Sequence, residues 1–297
     1  MFVFLTEIFC QIDDFCNHFD SNFQHFFLSG PAKKRRKPCA ISLSEIMTIV
    51  ILFHMSGYRT FKDFYLICVS RDLKHHFPKL LSYSRFVQVM EHALMPLTVF
   101  LNGIKGKETG IYYADSTPIE VCHIRREKRH KVFKGLATKG KSSMGWFFGF
   151  KLHLIINNLG EIMACTLTKA NTDDRKPVPT LVEMLQGWLF ADKGYLGKEF
   201  WEKLKAQSIE LFTKVKKNMK EKIITPIQSF YLSKRGLIET VNDQLKNICQ
   251  IEHTRHRKPA NAFVNLVSGL IAYAFKPRKP SIKNDKLRKP MPSLTSN

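Results

Sequence analysis

Gly110-Ile-Tyr-Tyr-Ala-Asp115 and Trp188-Leu-Phe-Ala-Asp192 decide how this chain reads. Each is a short apolar run of strand composition closing on the dipeptide Ala-Asp. A carboxylate at a strand end is fixed by the sheet yet reaches its edge. Two such ends on neighbouring strands lie within reach of one divalent ion. Taken singly, either Asp reads equally well as a turn former or a helix N-cap.

Strand and helix signals continue on both sides of these runs. Trp146 to Asn157 predicts a strand, Asn158-Leu159-Gly160 its turn, and Glu161 to Thr168 the returning strand. A helix is expected from Pro177 to about Gly187, another over Glu199 to Ala206, and a strand over Ile209 to Val215. Helices are expected from Ser233 to about Cys249 and from Ala260 to Phe275. The order strand, hairpin, helix, strand, helix, strand, helix predicts an α/β domain with a mixed sheet over residues 110–275. It is compatible with a ribonuclease-H-like layout. Residues 122–145, polar and basic, read as a mobile loop.

Residues 1–105 read as helical. Phenylalanines spaced three to four apart predict one or two helices over 1–29. Ser42 or Ser44 caps a helix to about Met55 that Gly57 ends. Further helices are expected over about Thr60–Val69 and from Ser82 or Ser84 to about Leu94. Such an array suits a helix-turn-helix DNA reader or a plain helical bundle. Residues 276–297, rich in Pro and Lys, read as a basic disordered tail.

The 297 residues include 44% hydrophobic side chains and 24 Phe, enough for a substantial core and too many for wholesale disorder. Lys and Arg outnumber Asp and Glu by 47 to 25, a formal charge of +22. A field of that sign favours polyanions, nucleic acid first among them. Pro31 and Pro38 bracket Lys33, Lys34, Arg35, Arg36 and Lys37, which read as a phosphate-contacting loop or a solvated linker. The seven Cys show no CxxC pair, which argues against structural zinc and for a reducing compartment. The N-terminal stretch lacks a basic n-region, and the longest apolar run is too short to span a bilayer, so no membrane partner is expected.

The third acidic candidate lies in Tyr231-x-x-x-Arg235-x-x-x-Glu239-x-x-x-x-x-x-Lys246. Steps of four and seven put Arg235, Glu239 and Lys246 on one helical face. Leu237, Ile238, Val241, Leu245 and Ile248 supply a separate apolar face. A carboxylate there suits a metal, and its flanking cations suit phosphates. An ordinary surface ladder is the competing reading. Lys193 beside Asp192 reads as a phosphate contact or a surface turn residue. Lys151 and His153 alternate along a strand, with His153 expected as a satisfied edge residue. Asp173 and Asp174 read as a helix cap or an added carboxylate. His253 to Lys258 reads as a basic loop.

YYADSTPIE around Asp115, FADKGYLG around Asp192 and SKRGLIETVNDQLK around Glu239 resemble the three motifs of bacterial insertion-sequence transposases with a DDE domain. Together with LSEIMTIVILFHMSGYRTFKDFY, they look most like the insertion-sequence 982 family, over residues 41–275. The resemblance implies a ribonuclease-H-like catalytic fold with Asp115, Asp192 and Glu239 as catalytic metal ligands. Tyr231, Arg235, Lys246, Lys193 and Lys33 to Lys37 become candidate DNA contacts. It further implies transposon ends and target DNA as double-stranded partners, a homodimer or higher synaptic complex, and a bacterial cytoplasm. All-oxygen ligands and a phosphodiester favour Mg²⁺, with Mn²⁺ as a substitute. Two ions about 3.5–4 Å apart suit in-line attack by water or a 3′-hydroxyl. A nuclease that only hydrolyses DNA and an inactive DNA-binding derivative are the alternatives.

Overall fold

The structure, a computed structural model, describes residues 5–27, 39–143, 145–214, 224–252 and 256–282, with the side chains of 20–27 excepted. The Lys33–Lys37 run, residues 253–255 of the His253–Lys258 loop and residues 283–297 lie outside them.

Helix α1 spans Leu5–Phe27 and α2 Leu43–Met55. Ser42 caps α2 in a capping box closed by Glu45, which satisfies two orphan amides. A short α3, Phe61–Asp63, runs into a π-helical segment, Phe64–Asp72. Next come α4 (Tyr83–Val89), a 3₁₀ turn and α5 (Leu94–Gly103). Helix α5 falls within the 1–105 stretch expected to be helical, and it begins without a side-chain cap to mark it.

The sheet is built from β1 (Ile111–Cys122), β2 (Thr138–Ser142), β3 (Gly145–Asn157), β4 (Ile162–Lys169), β5 (Gly187–Ala191) and β6 (Ile209–Thr213). Its order is β2-β3-β1-β5-β6, with β4 also paired to β3. Strands β1, β3 and β4 form an antiparallel meander, while β5 and β6 add to β1 in parallel. The two-residue period of the strands divides the core. Tyr113, Phe190 and Phe212 face one cluster, and Tyr112, Leu189 and Leu211 the other.

Helices α6 (Val178–Leu181) and α7 (Lys198–Ala206) lie on the second face. The first face carries α8 (Pro226–Ser233), α9 (Gly236–Asp243), a π-helical turn (Gln244–Ile248) and α10 (Pro259–Ala274). Helix α10 also packs against α2 and α5. Asn261 donates to the Val87 carbonyl at 2.9 Å, Lys258 pairs with Glu91 at 2.9 Å, and His54 Nδ1 donates to the Cys249 carbonyl at 2.5 Å. The N-terminal helices and the sheet's first face therefore share one core.

Several local expectations are corrected. Strand β1 does not stop at Asp115 but runs seven residues further, because Ser116 to Cys122 pair with β3. The helix expected from Pro177 ends at Leu181. The single helix expected over Ser233 to Cys249 is broken before Gly236 and widens into a π turn at Gln244. The loop expected over 122–145 contains a 3₁₀ segment, Ile124–Arg129, and strand β2. Within the expected tail, residues 276–282 run across the β3–β4 turn, where Ile282 donates to the Asn158 carbonyl at 2.9 Å.

His54 and His153 are buried, and desolvation lowers each imidazole to about 4. Both stay neutral in the folded chain where an unfolded histidine, near 6.5, takes a proton. Their contribution is therefore complete above about pH 6.5 and is lost as pH falls toward 4, by at most about 3 kcal/mol each. The urea midpoint should drop clearly between pH 7 and pH 5. A flat profile over that window would show that both imidazoles titrate normally.

Candidate active site

Parallel pairing builds the site. Tyr112 lies opposite Leu189 and Tyr113 opposite Phe190, so Asp115 and Asp192 each come two residues after matched positions. Asp115, within β1, and Asp192, just past the end of β5, therefore sit at the same level and on the same face as Tyr113 and Phe190. Helix α9 crosses that face. Tyr113 Oη donates to the Tyr231 carbonyl at 3.0 Å, and Tyr231 packs its ring 6.1 Å from Phe190. Those contacts anchor α8 and hence the start of α9 beside the two strands.

Glu239 then meets the aspartates through Arg235. The guanidinium Nη2 donates to Glu239 Oε1 at 2.8 Å and lies 3.8 Å from Asp192 Oδ1. Three residues past Glu239, on the same side of α9, buried Asn242 donates from Nδ2 to Asp115 Oδ2 at 3.1 Å. Burial, reinforced by Glu239 and Asp174 as like charges, pushes the Asp115 carboxyl up to about 6, against the Ser116 amide and Arg235, which lower it.

Asp174 is a fourth acid at this site, not a helix cap; α6 begins after Pro177. Lys151 Nζ binds Asp174 at 2.8 Å and donates to the Thr172 carbonyl at 3.0 Å. Lys151 and His153 lie on β3, inside the sheet between β1 and β4 rather than at an edge. His153 Nε2 bonds Thr168 Oγ1 at 2.8 Å. Asp173 binds Arg175 at 2.6 Å instead of capping. Tyr195 is buried in the turn after Asp192, and its phenol is raised by burial and by Asp115. Asn242 and Tyr195 carried no signal of their own in the sequence, whereas Asp174 takes the added-carboxylate role that stood beside the helix-cap reading. The i,i+3 step from Glu239 was a usable signal for Asn242.

The other candidates part company from this group. Lys193 is exposed in the turn after Asp192. Lys246 lies in the π turn Gln244–Ile248 that follows α9 and pairs with Glu252 at 3.2 Å. Tyr231 is buried in the core, so its ring packs rather than meeting a ligand.

All-oxygen donors around a desolvated carboxyl suit a hard divalent cation. As the side chains stand, Arg235 spans two of the acids and Asn242 holds the third. No three metal-ligating groups close around one point among the described residues.

The family model for the transposase DDE domain matches residues 105–259, more than half of the chain. The chain belongs to the DDE transposase family. The matched segment of this DDE-family chain holds Asp115, Asp174, Asp192, Arg235, Glu239 and Asn242 together. A chain in the cryo-EM structure of a simian T-cell lymphotropic virus intasome in complex with PP2A regulatory subunit B56 gamma is similar at 14% identity. The match covers 66% of this chain and 70% of that one, with a TM-score of 0.23. No curated protein matches the sequence. No helix among the described residues is long and apolar enough to cross a membrane.

Among the described residues Arg235 is the one cation that reaches both Asp192 and Glu239, so its loss has a defined outcome. Arg235→Ala should lower DNA nicking about a hundredfold and move the acidic limb of the pH–rate profile to higher pH, since Arg235 holds Asp115 down. Arg235→Lys should recover part of both. An unshifted acidic limb would place Arg235 outside the electrostatics of Asp115.

Proposed function

We propose that this chain is a DNA transposase acting through Asp115, Asp192 and Glu239. The observation that carries the reading is the parallel β1–β5 register, which sets the two aspartates side by side under a helix bearing the glutamate. An antiparallel meander followed by two parallel strands supports a ribonuclease-H-like catalytic domain over residues 110–275. The helices of 1–105 are proposed as the DNA-binding part, joined to that domain through α10, and the motifs favour the insertion-sequence 982 branch.

Asp115, Asp192 and Glu239 would hold Mg²⁺, or Mn²⁺ in its place, which would polarise a phosphodiester and lower the pKa of an attacking water or 3′-hydroxyl. The chain's own groups then have separate tasks. Asp115 must lose its proton to act as a ligand, so a carboxyl raised by burial gives the activity an acidic limb. Arg235 orients Glu239 and Asp192 and can turn to a phosphate once they are otherwise neutralised. Asn242 fixes one oxygen of Asp115 and leaves the other available. Lys193 stands exposed beside Asp192, where a strand of DNA would lie. Double-stranded transposon ends and target DNA are the proposed partners, in a dimer or larger synaptic complex.

Pre-cut transposon-end duplexes, a supercoiled plasmid and Mg²⁺ provide the test. Plasmid molecules covalently joined to the duplex are expected. Nicked plasmid with no joined product would convert the reading to a nuclease that only hydrolyses DNA.

A further inference from the structure

Residues 123–146 leave the sheet between β1 and β3 and return as a hairpin arm that the catalytic reading leaves unused. The arm carries eight Lys and Arg against one acid, Glu127, which is about a third of the chain's net charge. All eight cations are exposed. None forms a salt bridge with a described carboxylate. Cations without a neighbouring carboxylate are held apart at an electrostatic cost that an external polyanion relieves.

The arm is built rather than loose. Its 3₁₀ segment presents Arg125, Arg126, Lys128 and Arg129. Phe133 is buried, with its ring 5.6 Å from Phe150 and 6.2 Å from Phe263 of α10, pinning the base of the arm to the core. At the hairpin, β2 pairs with β3 from Thr138–Gly149 to Ser142–Gly145. Gly149 sits beside the β1 bulge, where a Cβ would strike the Ile119 carbonyl, so the strands approach there only with glycine. Trp146, 58% exposed, ends the hairpin; Lys139 Nζ lies 4.7 Å and Lys141 Nζ 5.8 Å from its ring centroid. An exposed indole flanked by ammonium groups offers both halves of a nucleotide contact: charge for phosphate, and a flat apolar face for sugar and base.

Its position relative to the acids sets a scale. Asp115 lies opposite Leu154, and Trp146 precedes Leu154 by eight residues along β3. At ~3.3 Å per residue that is roughly 26 Å. The same length spans about eight base pairs at ~3.4 Å each.

We propose that the 123–146 arm grips duplex DNA by its phosphate backbone about eight base pairs from the phosphodiester at Asp115. The inference rests on the transposase reading and adds a second contact point to it. A duplex held at both places cannot pivot about the carboxylates, so the arm fixes the angle at which DNA enters the site.

The test uses the full chain, a random-sequence duplex of about 30 base pairs and fluorescence anisotropy over a salt series. One variant replaces Arg125, Arg126, Lys139 and Lys141 by Ala. A charge-matched control replaces Lys176, Lys198, Lys203 and Lys205, exposed on and near α7. The arm variant should lose at least about tenfold in affinity at moderate salt, and its salt slope should fall by about 0.9 for each phosphate contact removed. The control should lose much less. DNA should quench tryptophan emission in the wild type and do so far less in Trp146→Phe, because Trp188 and Trp201 are only partly exposed. Matching melting temperatures show that both variants fold. If the wild type binds duplex and the two variants lose affinity equally, the arm assignment is overturned alone. If the wild type binds no duplex, the transposase reading falls with it.

Discussion

Asp115→Asn should be inactive and more stable than the wild type. Cleavage and joining should fall by about a thousandfold or more, equivalent to a loss of ~4 kcal/mol of transition-state stabilisation. Stability should move the other way. The Asp115 carboxyl is raised to about 6 in the folded chain, so the fold is relieved when it is protonated. That relief is complete below the unfolded value of 3.8 and is lost as pH rises through about 6. Asparagine abolishes the charge and still accepts from Asn242 through its amide oxygen. The variant should therefore gain about 1–2 kcal/mol at pH 8, after allowance for solvent screening, and nothing near pH 3.5. Chemical denaturation at the two pH values measures it. An unchanged or lowered midpoint at pH 8 would mean that Asp115 is not held against its charge. A site that stores this strain for later use by a cation fits the general conflict between activity and stability.

The second large effect lies in the core that carries the site. Phe190 is fully buried, with Tyr113 at 5.5 Å, Phe212 at 5.3 Å and Tyr231 at 6.1 Å between ring centroids. It joins β1, β5, β6 and α8, and it precedes Asp192 by two residues on the same face. Phe190→Ala should cost 3–5 kcal/mol, about the range for deleting a buried aromatic ring. Phe190→Leu, which leaves a smaller cavity, should cost roughly half as much. A loss below about 1 kcal/mol for the alanine variant would show that this cluster is not the joint between strands and helices.

The sequence made the two Ala-Asp runs legible because apolar composition and strand period agree there. Their pairing was not legible, since parallel register is a long-range property with no local signal. Asp115 was expected at a strand end because Pro118 and the polar Ser116 and Thr117 disguise a continuing strand. Pro118 pairs in register with Lys151 of β3, beyond the Ile111–Tyr113 stretch that β5 covers, so β1 is paired there on one side only. The step from Glu239 to Lys246 assumes an uninterrupted α-helical period, which the π turn at Gln244–Ile248 does not keep. Lys151 and Asp174 were weighed apart, each with a bland alternative; only the fold makes them one ion pair. The arm read as a mobile loop because its composition is basic, while the residue that pins it, Phe133, is a single aromatic in a polar stretch.

The central claim is that Asp115, Asp192 and Glu239 converge on one metal ion although 124 positions separate the first from the last. Iron-directed cleavage of the protein tests this most directly. Fe²⁺ replaces Mg²⁺ in the full chain, and peroxide with ascorbate generates hydroxyl radicals that cut the backbone beside the ion. The account predicts cuts clustered near residues 115, 192 and 239 together, suppressed by excess Mg²⁺ and lost at all three places in Glu239→Gln. Cuts at only one of the three segments, or an undiminished pattern in Glu239→Gln, would contradict it.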